Sequence, residues 1–135
     1  MNLADVMDDL GAACEQIDGL RVYPYWADTI TPPAAVVVWP DPMTYDETMA
    51  RGGDRAEMRL YVIAGRVDAR SARDTLARYV DGSGTHSIKQ AVESYTATAY
   101  DTARVMRAEF ENIIVGRVEY LSALFYIDVM GKGAQ

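Results

Sequence analysis

The sequence predicts an α+β fold, in which an antiparallel or mixed β-sheet carries helices packed on one face. Two adjacent amphipathic helical stretches between residues 68 and 94 carry this prediction, together with strand-like runs before and after them and an amphipathic helix near the start of the chain. Helices with one apolar side need a layer to cover that side, and a sheet is the simplest such layer. The predicted order is α-β-β-(long loop)-β-α-α-β-β.

Length, composition and charge exclude several classes of protein. The 135 residues suit a single domain spanning 1–135, and 50% hydrophobic with 24% charged residues is ordinary for a folded protein. The net charge of −7 disfavours a grip on nucleic acid or an anionic membrane. The apolar runs are shorter than the roughly 20 residues of a membrane helix, and the acidic N-terminus is unlike a secretory signal, so we expect folding in cytoplasm.

The first helix is predicted over residues 2–17, where apolar residues recur at helical spacing. Asn2 can cap this helix and Gly19 can stop it. Cys14, the one cysteine, falls on the apolar side, so we expect a buried structural thiol and no internal disulfide.

Two strands are predicted next. The run 20–26 is limited by Pro24, which favours an edge position. The run 34–39 contains three consecutive valines, a pattern typical of a strand that is covered on both faces.

Residues 41–56 are predicted to form a long loop that a partner orders. This stretch has few apolar anchors and no periodicity, although it carries Met43 and Tyr45. Its pair of glycines, Gly52 and Gly53, does not make a phosphate loop, because no Lys-Ser/Thr follows at the required distance.

The middle of the chain alternates between apolar and other residues over 58–64, which predicts a strand with one buried face. In the helix pair that follows, Asp68 is the predicted N-cap of the first helix. Ser87 and Gln90 match a capping box at the start of the second.

The last third predicts a β-hairpin from 103–112 and 117–130, with an ill-defined loop near Gly116 and a frayed tail at 131–135. Strict alternation along its first strand separates two sets of side chains. One set is Met106, Ala108 and Phe110, and the other is Val105, Arg107, Glu109 and Glu111.

The residues give little sign of catalysis. His86 is the only histidine, and no nucleophile elbow surrounds the hydroxyls beside it. One histidine and one cysteine match zinc poorly. Glu109, Glu111 and Glu119 could gather as paired carboxylates, but Arg107 and its neighbours favour a solvated charge ladder. We therefore expect no enzyme, no cofactor and no metal.

Aromatic and methionine side chains outside the periodic core suggest a second interpretation. Tyr45, Tyr120, Tyr126 and Met43 lie on or beside strands and the long loop. Tyr and Met are enriched at protein–protein contacts, although the rim of a small sheet also holds such residues. Both interpretations stay open from composition alone.

Several stretches, taken in order along nearly the whole chain, resemble the tail terminator proteins of long non-contractile-tailed bacteriophages that infect actinobacteria. The strongest is Ala72-Arg73-Asp74 through Tyr79-Val80-Asp81-Gly82-Ser83-Gly84 to Ser87-Ile88-Lys89. The others are Met-Asn-Leu-Ala-Asp-Val-Met at 1–7, Leu-Arg-Val-Tyr at 20–23, Thr-Pro-Pro-Ala-Ala-Val at 31–36 with Pro40, Thr-Tyr-Asp-Glu-Thr at 44–48, Arg-Gly-Gly-Asp-Arg at 51–55, and Ala-Leu-Phe-Tyr-Ile-Asp-Val at 123–129 with the glycine tail.

This resemblance implies a structural virion protein without catalysis. Members of the family form a ring, usually a homohexamer, that caps the tail tube at its head-proximal end and stops its polymerisation. The expected partners are other copies of the chain, the tail-tube protein and the head-neck connector proteins, while DNA passes through the channel without specific binding. The expected location is the neck of the virion tail, with assembly in the host cytoplasm and no membrane contact.

Under this hypothesis, ring closure needs one patch of a subunit to meet a different patch of the next. We expect the loop to supply the first patch through Met43, Tyr45, Arg51, Asp54 and Arg55. Tyr120 and Tyr126 are expected on the second.

Two alternatives remain. The chain could be another neck component, such as a stopper or a head-tail adaptor, which differs in its partner. More distantly, it could be a small enzyme or ligand-binding α+β domain, in which His86 and carboxylates would converge on a deep pocket between helices and sheet.

Overall fold

The computed structural model describes residues 1–25, 29–45 and 53–132 of the chain, and it confirms the α+β fold. Three helices and a six-stranded sheet lie within those residues. In chain order they are α1 (Leu3–Cys14), β1 (Arg21–Tyr23), β2 (Ala34–Val38), β3 (Met43–Thr44), β4 (Gly53–Arg66), α2 (Arg70–Val80), α3 (Ile88–Ser94), β5 (Thr102–Val115) and β6 (Val118–Lys132).

The sheet is mixed, with the strand order β1-β2-β4-β6-β5 and β3 beside β4. Only the short β1–β2 pair is parallel among these strands, and every other pairing is antiparallel. The three long strands β4, β6 and β5 form the centre and one edge of the sheet, while β1 forms the other edge. The position of β1 at an edge agrees with the prediction from Pro24.

All three helices pack on one face of the sheet, as predicted, and this face holds the main core. The core residues that the strands contribute are apolar residues at alternate positions. They include Ala35 and Val37 of β2, Met58, Leu60 and Val62 of β4, and Ala123, Phe125, Ile127 and Val129 of β6.

A second, smaller apolar cluster lies on the opposite face and is centred on β2 and β4. Ile30, Ala34, Val36 and Ile63 form it, and Tyr23 packs against it. Because β2 contributes side chains to both clusters, its residues Ala34–Val37 are all buried. The prediction of a strand covered on both faces is confirmed.

The first helix matches its sequence pattern. The Asn2 side chain accepts a hydrogen bond from the amide of Asp5 at 3.1 Å, so it caps α1 as expected. Val6 and Leu10 are fully buried against the sheet. Cys14 is also buried, and burial raises the pKa of its thiol to about 12, so this thiol stays protonated at neutral pH.

The start of α2 differs from the prediction, while the start of α3 follows it in part. Ala69 occupies the N-cap of α2 without a side-chain bond, and Asp68 instead lies 3.5 Å from Arg66. At α3, the Ser87 hydroxyl accepts from the Gln90 amide as predicted. The Gln90 side chain accepts from the amide of Gly84 rather than completing the capping box.

The prediction of a loop over 41–56 was wrong at both ends, because strands occupy part of that range. Met43 and Thr44 form β3, where they pair with Ala56 and Arg55 of β4. β4 begins at Gly53 because its first residues pair with the last residues of β6, a register that a search for apolar anchors cannot find. Residues 46–52 lie outside the described residues, so ordering by a partner stays a prediction.

The predicted hairpin is present, but its turn is tighter and its tail more ordered than expected. Val115 pairs with Val118, and Gly116, with φ of 67°, therefore belongs to a two-residue turn. The tail predicted at 131–135 was wrong for its first two residues, because Gly131 and Lys132 pair with Asp54 and Gly53. Residues 133–135 lie outside the described residues.

The two faces predicted for the first hairpin strand were also wrong in part. The register of β5 against β6 shifts between Val105 and Arg107, so Met106 is the extra residue of a β-bulge. Val105 pairs with Ile127, and Ala108 and Phe110 pair with Phe125 and Ala123, which all lie on the helix-covered face. The bulge thus places Val105 and Phe110 on one face despite their odd spacing.

Candidate interaction surface

The face of the sheet without helices is the candidate functional surface, and we call it the helix-free face. It consists of the side chains of β4, β6 and β5 that alternate with the core residues. On β4 these include Arg55, Glu57, Arg59 and Tyr61, on β6 Tyr126 and Asp128, and on β5 Arg107, Glu109 and Glu111. Cross-strand pairing brings opposite charges and aromatic rings together on this face.

One end of this surface is fixed by an ion pair between β4 and β6. Nε of Arg55 donates a hydrogen bond to Oδ1 of Asp128, and Nη2 donates one to Oδ2, each at 2.6 Å. The Arg55 side chain is 44% exposed and that of Asp128 is 19% exposed. A bidentate ion pair of this kind holds both side chains in one geometry, so the pair presents a rigid polar surface to solvent.

The centre of the surface is the ring of Tyr126, which two arginines approach. The guanidinium carbon of Arg107 lies 3.8 Å from the ring centroid, and that of Arg59 lies 5.5 Å from it. The Tyr126 hydroxyl donates to Glu109 at 3.4 Å. Cation–π attraction and this hydrogen bond fix the ring from both its face and its polar end.

Arg107 links β5 to the other two strands. Its guanidinium lies 3.2 Å from Glu109 and 4.0 Å from Glu57 of β4. The bulge at Met106 makes this possible, because two residues of β5 then stand opposite Tyr126. Met106 itself is 49% exposed beside the charged residues.

Arg59 is held differently. Its Nη2 donates to the backbone oxygen of Asp41 at 3.2 Å. Its Nε is buried and has no hydrogen-bond partner among the described residues. A buried N–H without a partner costs free energy.

A cavity of about 330 Å³ lies at this end of the helix-free face and opens to solvent. Its size suits one or two protein side chains. The residues that line it are Pro42, Thr44, Arg55, Glu57, Met106, Arg107 and Asp128.

Three of the predicted interface residues, Arg55, Tyr120 and Tyr126, belong to this face. Arg55 lines the cavity, and Tyr126 is the central ring. Tyr45 follows β3 and is 69% exposed. Tyr120 lies farther along the same face, opposite Arg66, where it packs against the smaller apolar cluster.

Two other predicted interface residues do not belong to the helix-free face. Met43 pairs with Ala56 on the helix-covered face and packs against the main core. Asp54 is 6% exposed, and its carboxylate lies 3.4 Å from the ammonium group of Met1. Both residues were placed in a loop from their sequence position, whereas strand pairing directs their side chains inward. Arg51 lies outside the described residues.

Sequence reasoning did not name Arg59, Arg107 and Asp128 as interface residues. Alternation along β4 and β6 separates Arg59 and Asp128 from the core residues beside them, but it does not indicate which of these side chains meet. The pairing of Arg107 with Tyr126 depends on the bulge, and no local signal marks that position.

At the middle of the same face, Tyr61 and Glu111 interact. Burial, followed by the hydrogen bond with Glu111 and the charge of that carboxylate, raises the pKa of the Tyr61 hydroxyl. The hydroxyl therefore stays protonated and continues to interact with Glu111 at neutral pH.

The geometry around His86 does not form a catalytic arrangement within the described residues. Its Nδ1 lies 3.2 Å from the hydroxyl of Thr85, and its ring lies 6.5 Å from that of Tyr79. A cavity of about 210 Å³ between α1 and α3 is lined by Gln16, Gly84 and Ser87 among others, but not by His86. Across the described residues, no group of three or more His, Cys, Asp or Glu side chains is placed to hold a metal.

No helix in the described part of the chain is long and apolar enough to cross a membrane.

Comparisons with known proteins give no family assignment: no family model matches the chain, and no curated protein matches it in sequence.

Proposed function

We propose that this chain is a structural virion protein without catalysis that assembles into a ring. The ring caps the head-proximal end of a phage tail tube, ends tube polymerisation and offers a surface for head-tail joining. The family resemblance of the sequence supplies the identity of the assembly. The helix-free face supplies a surface suited to protein contacts.

The observation that carries the proposal is the combination of Arg55, Met106, Arg107 and Tyr126 on that face. Arg, Tyr and Met are enriched where proteins meet. Here Arg55, Arg107 and Met106 line an open cavity on a sheet face that lacks helices, and the Tyr126 ring contacts Arg107. Because the arginines are already held by carboxylates and by the Tyr126 ring, a partner binds a preorganised surface and orders few side chains.

A ring requires that this surface meet a different patch on the next subunit. The cavity is concave, so its partner patch must offer a protruding side chain. Trp39 and Tyr45 are exposed by 67% and 69%, respectively, and lie near the ends of β2 and β3. We propose that one of these aromatic side chains enters the cavity of the neighbouring subunit.

The net charge of −7 fits a channel through which DNA passes. Like charges repel, so an acidic lumen does not hold the phosphate backbone during transit. This argument supports a passage without specific DNA binding.

The test is negative-stain imaging of the purified chain mixed with its cognate tail-tube protein. We expect tubes of limited length with a ring at one end. Tubes that grow without limit, with the chain absent from their ends, would overturn the terminator assignment. A pull-down with head-connector proteins would then test the neck-adaptor alternative.

A matched pair of variants tests the surface itself. Met106→Glu places a charge at the exposed bulge beside the cavity, and we expect a folded chain that no longer caps tubes. Arg78→Glu alters an exposed residue on α2, on the opposite side of the sheet, and we expect normal capping. Normal capping by Met106→Glu would show that the helix-free face is not a contact surface of the assembly.

A further inference from the structure

The two edges of the sheet are protected to very different degrees. β1 contains three residues and is followed by Pro24, which has no N–H to offer. β5 contains 14 residues and pairs only with β6 among the described strands. A long free edge is a template for another strand, and proteins generally cover, shorten or charge such edges.

Only the second half of the β5 edge is open. At the beginning, the amide of Val105 donates to the Glu93 carboxylate of α3 at 2.9 Å, so a helix residue occupies that position. After the bulge, β5 runs to the tight turn that Val115 and Val118 close.

Backbone alternation identifies the free groups of this half. Val115 and Val118 close a two-residue turn, and in such a turn they bond to each other. Every second residue before Val115 then bonds to β6, and the residues between direct their N–H and C=O groups away from it. These residues are Ala108, Phe110, Asn112 and Ile114, and no other described segment donates to or accepts from their backbone.

Two of these positions also carry exposed apolar side chains. Phe110 is 61% exposed and Ile114 is 72% exposed. Their cross-strand partners Ala123 and Glu119 lie on the helix-covered face, but α3 packs over the beginning of β5 and does not cover them. The same short segment therefore leaves both backbone groups and apolar area uncovered.

We propose that a second copy of this chain covers this segment, by antiparallel pairing of residues 110–114 in the two copies about a two-fold axis. In the register centred on Asn112, Phe110 of each copy stands opposite Ile114 of the other. Two Phe110–Ile114 pairs then flank the facing Asn112 residues, and the outward N–H and C=O groups of both strands find partners.

Charge disfavours one neighbouring register, and the bulge disfavours another. Centring the pair on Phe110 would set Glu109 opposite Glu111 twice, and like charges directly opposite each other are unfavourable. Centring it on Ala108 would bring the second copy against the bulge and Glu93. In the register centred on Asn112, Glu111 instead stands opposite Ile113.

This contact is reciprocal, so it closes at two copies and does not continue into a fibre. It concerns the free chain and does not depend on the proposed ring. If tube capping failed and pairing persisted, the inference would stand and the proposed function would fall.

Cross-linking tests the register directly. Cys14 is fully buried, so a cysteine introduced at an exposed position is the accessible thiol. In the proposed pair the two residues at 112 face each other across about 5.5 Å between Cα atoms, within the range of a disulfide. We expect Asn112→Cys to form a disulfide-linked dimer under mild oxidation.

Glu109→Cys is the matched control. Its proposed partner is Val115, so the two cysteines would lie about 20 Å apart along the strands. We expect no cross-link from this variant. Equal cross-linking of both variants would indicate random collision and would overturn the register, as would no cross-link at Asn112→Cys.

Sedimentation equilibrium tests the pairing without a cross-link. We expect the unmodified chain to reach a dimer mass as its concentration rises toward about 1 mM, the range that detects weak association. Ile114→Lys should stay at half that mass, because it charges the edge, while Val67→Lys alters an exposed residue elsewhere and should still dimerise. A monomer throughout for the unmodified chain, or a dimer of Ile114→Lys, would overturn the proposal.

Discussion

The same strands present two very different surfaces on the two faces of the sheet. On β4, Leu60 is fully buried beneath the helices, while its neighbours Arg59 and Tyr61 lie on the helix-free face. Apolar burial stabilises the first face, and its contribution is large and non-directional. Cross-strand pairs of charges and rings order the second face, and each contributes little. The stabilising core and the candidate interaction surface therefore lie on opposite faces of the same strands.

The largest effect should follow from opening a cavity on the helix-covered face. Leu60→Ala removes a fully buried side chain from the main core, and we expect a loss of about 2–5 kcal/mol in the free energy of unfolding. Urea denaturation followed by circular dichroism measures this loss.

Met106→Ala is the counterpart on the helix-free face. Because Met106 is 49% exposed, we expect a change within about 0.5 kcal/mol. Similar losses for both variants would contradict the separation of the two faces.

A smaller effect should appear where the helix layer is joined to the sheet edge. Glu93 of α3 accepts hydrogen bonds from Lys89 at 2.6 Å and from the Val105 amide at 2.9 Å. Burial alone would raise its pKa, but these bonds and the charges of Lys89 and Arg104 lower it below the ordinary value of 4.5. A lowered folded-state pKa means that the ionised carboxylate stabilises the fold.

Glu93→Gln should therefore cost about 0.5–1 kcal/mol at neutral pH. The contribution of Glu93 is present above its unfolded-state pKa and is lost as the pH falls through the lowered folded-state pKa. Unfolding curves of both proteins from pH 7 downward should converge in acid. A constant difference across that range would show that the carboxylate charge is not the cause.

A coupling of similar size should appear at the Tyr126 side chain on the helix-free face. A double-mutant cycle with Arg107→Met and Tyr126→Leu should give a coupling energy of about 0.5–1 kcal/mol, the usual range for a cation–π pair near the surface. Urea unfolding of the four proteins measures it. A coupling of zero would mean that the contact of 3.8 Å contributes nothing to stability.

The fold followed from periodicity because the main core follows the local patterns closely. Apolar residues at helical spacing marked α1, and the valine run marked β2 as covered on both faces. Periodicity could not predict which distant strands pair with each other. β3 and the first residues of β4 have few apolar side chains, so only their bonds to distant strands define them. The bulge at Met106 reverses the alternation without any glycine or proline to mark it.

The candidate surface was predicted less well than the fold. Tyr126 and Arg55 were named from residue type and from position, and the structure places both at the helix-free face. Met43 and Asp54 were named on the same grounds and point inward instead. Residue type indicates which side chains suit an interface, but strand register decides which way each of them points.

The two-residue turn at Gly116 and Arg117 has a consequence for the order in which the chain folds. It lets β5 and β6 meet by closing a very short loop, whereas Arg66 of β4 meets Tyr120 of β6 only after α2, α3 and β5 have been enclosed. Loop closure costs entropy that grows with length, so local pairings form early and distant ones late. The hairpin should therefore be complete first, with its outer edge exposed while the rest of the sheet is still assembling.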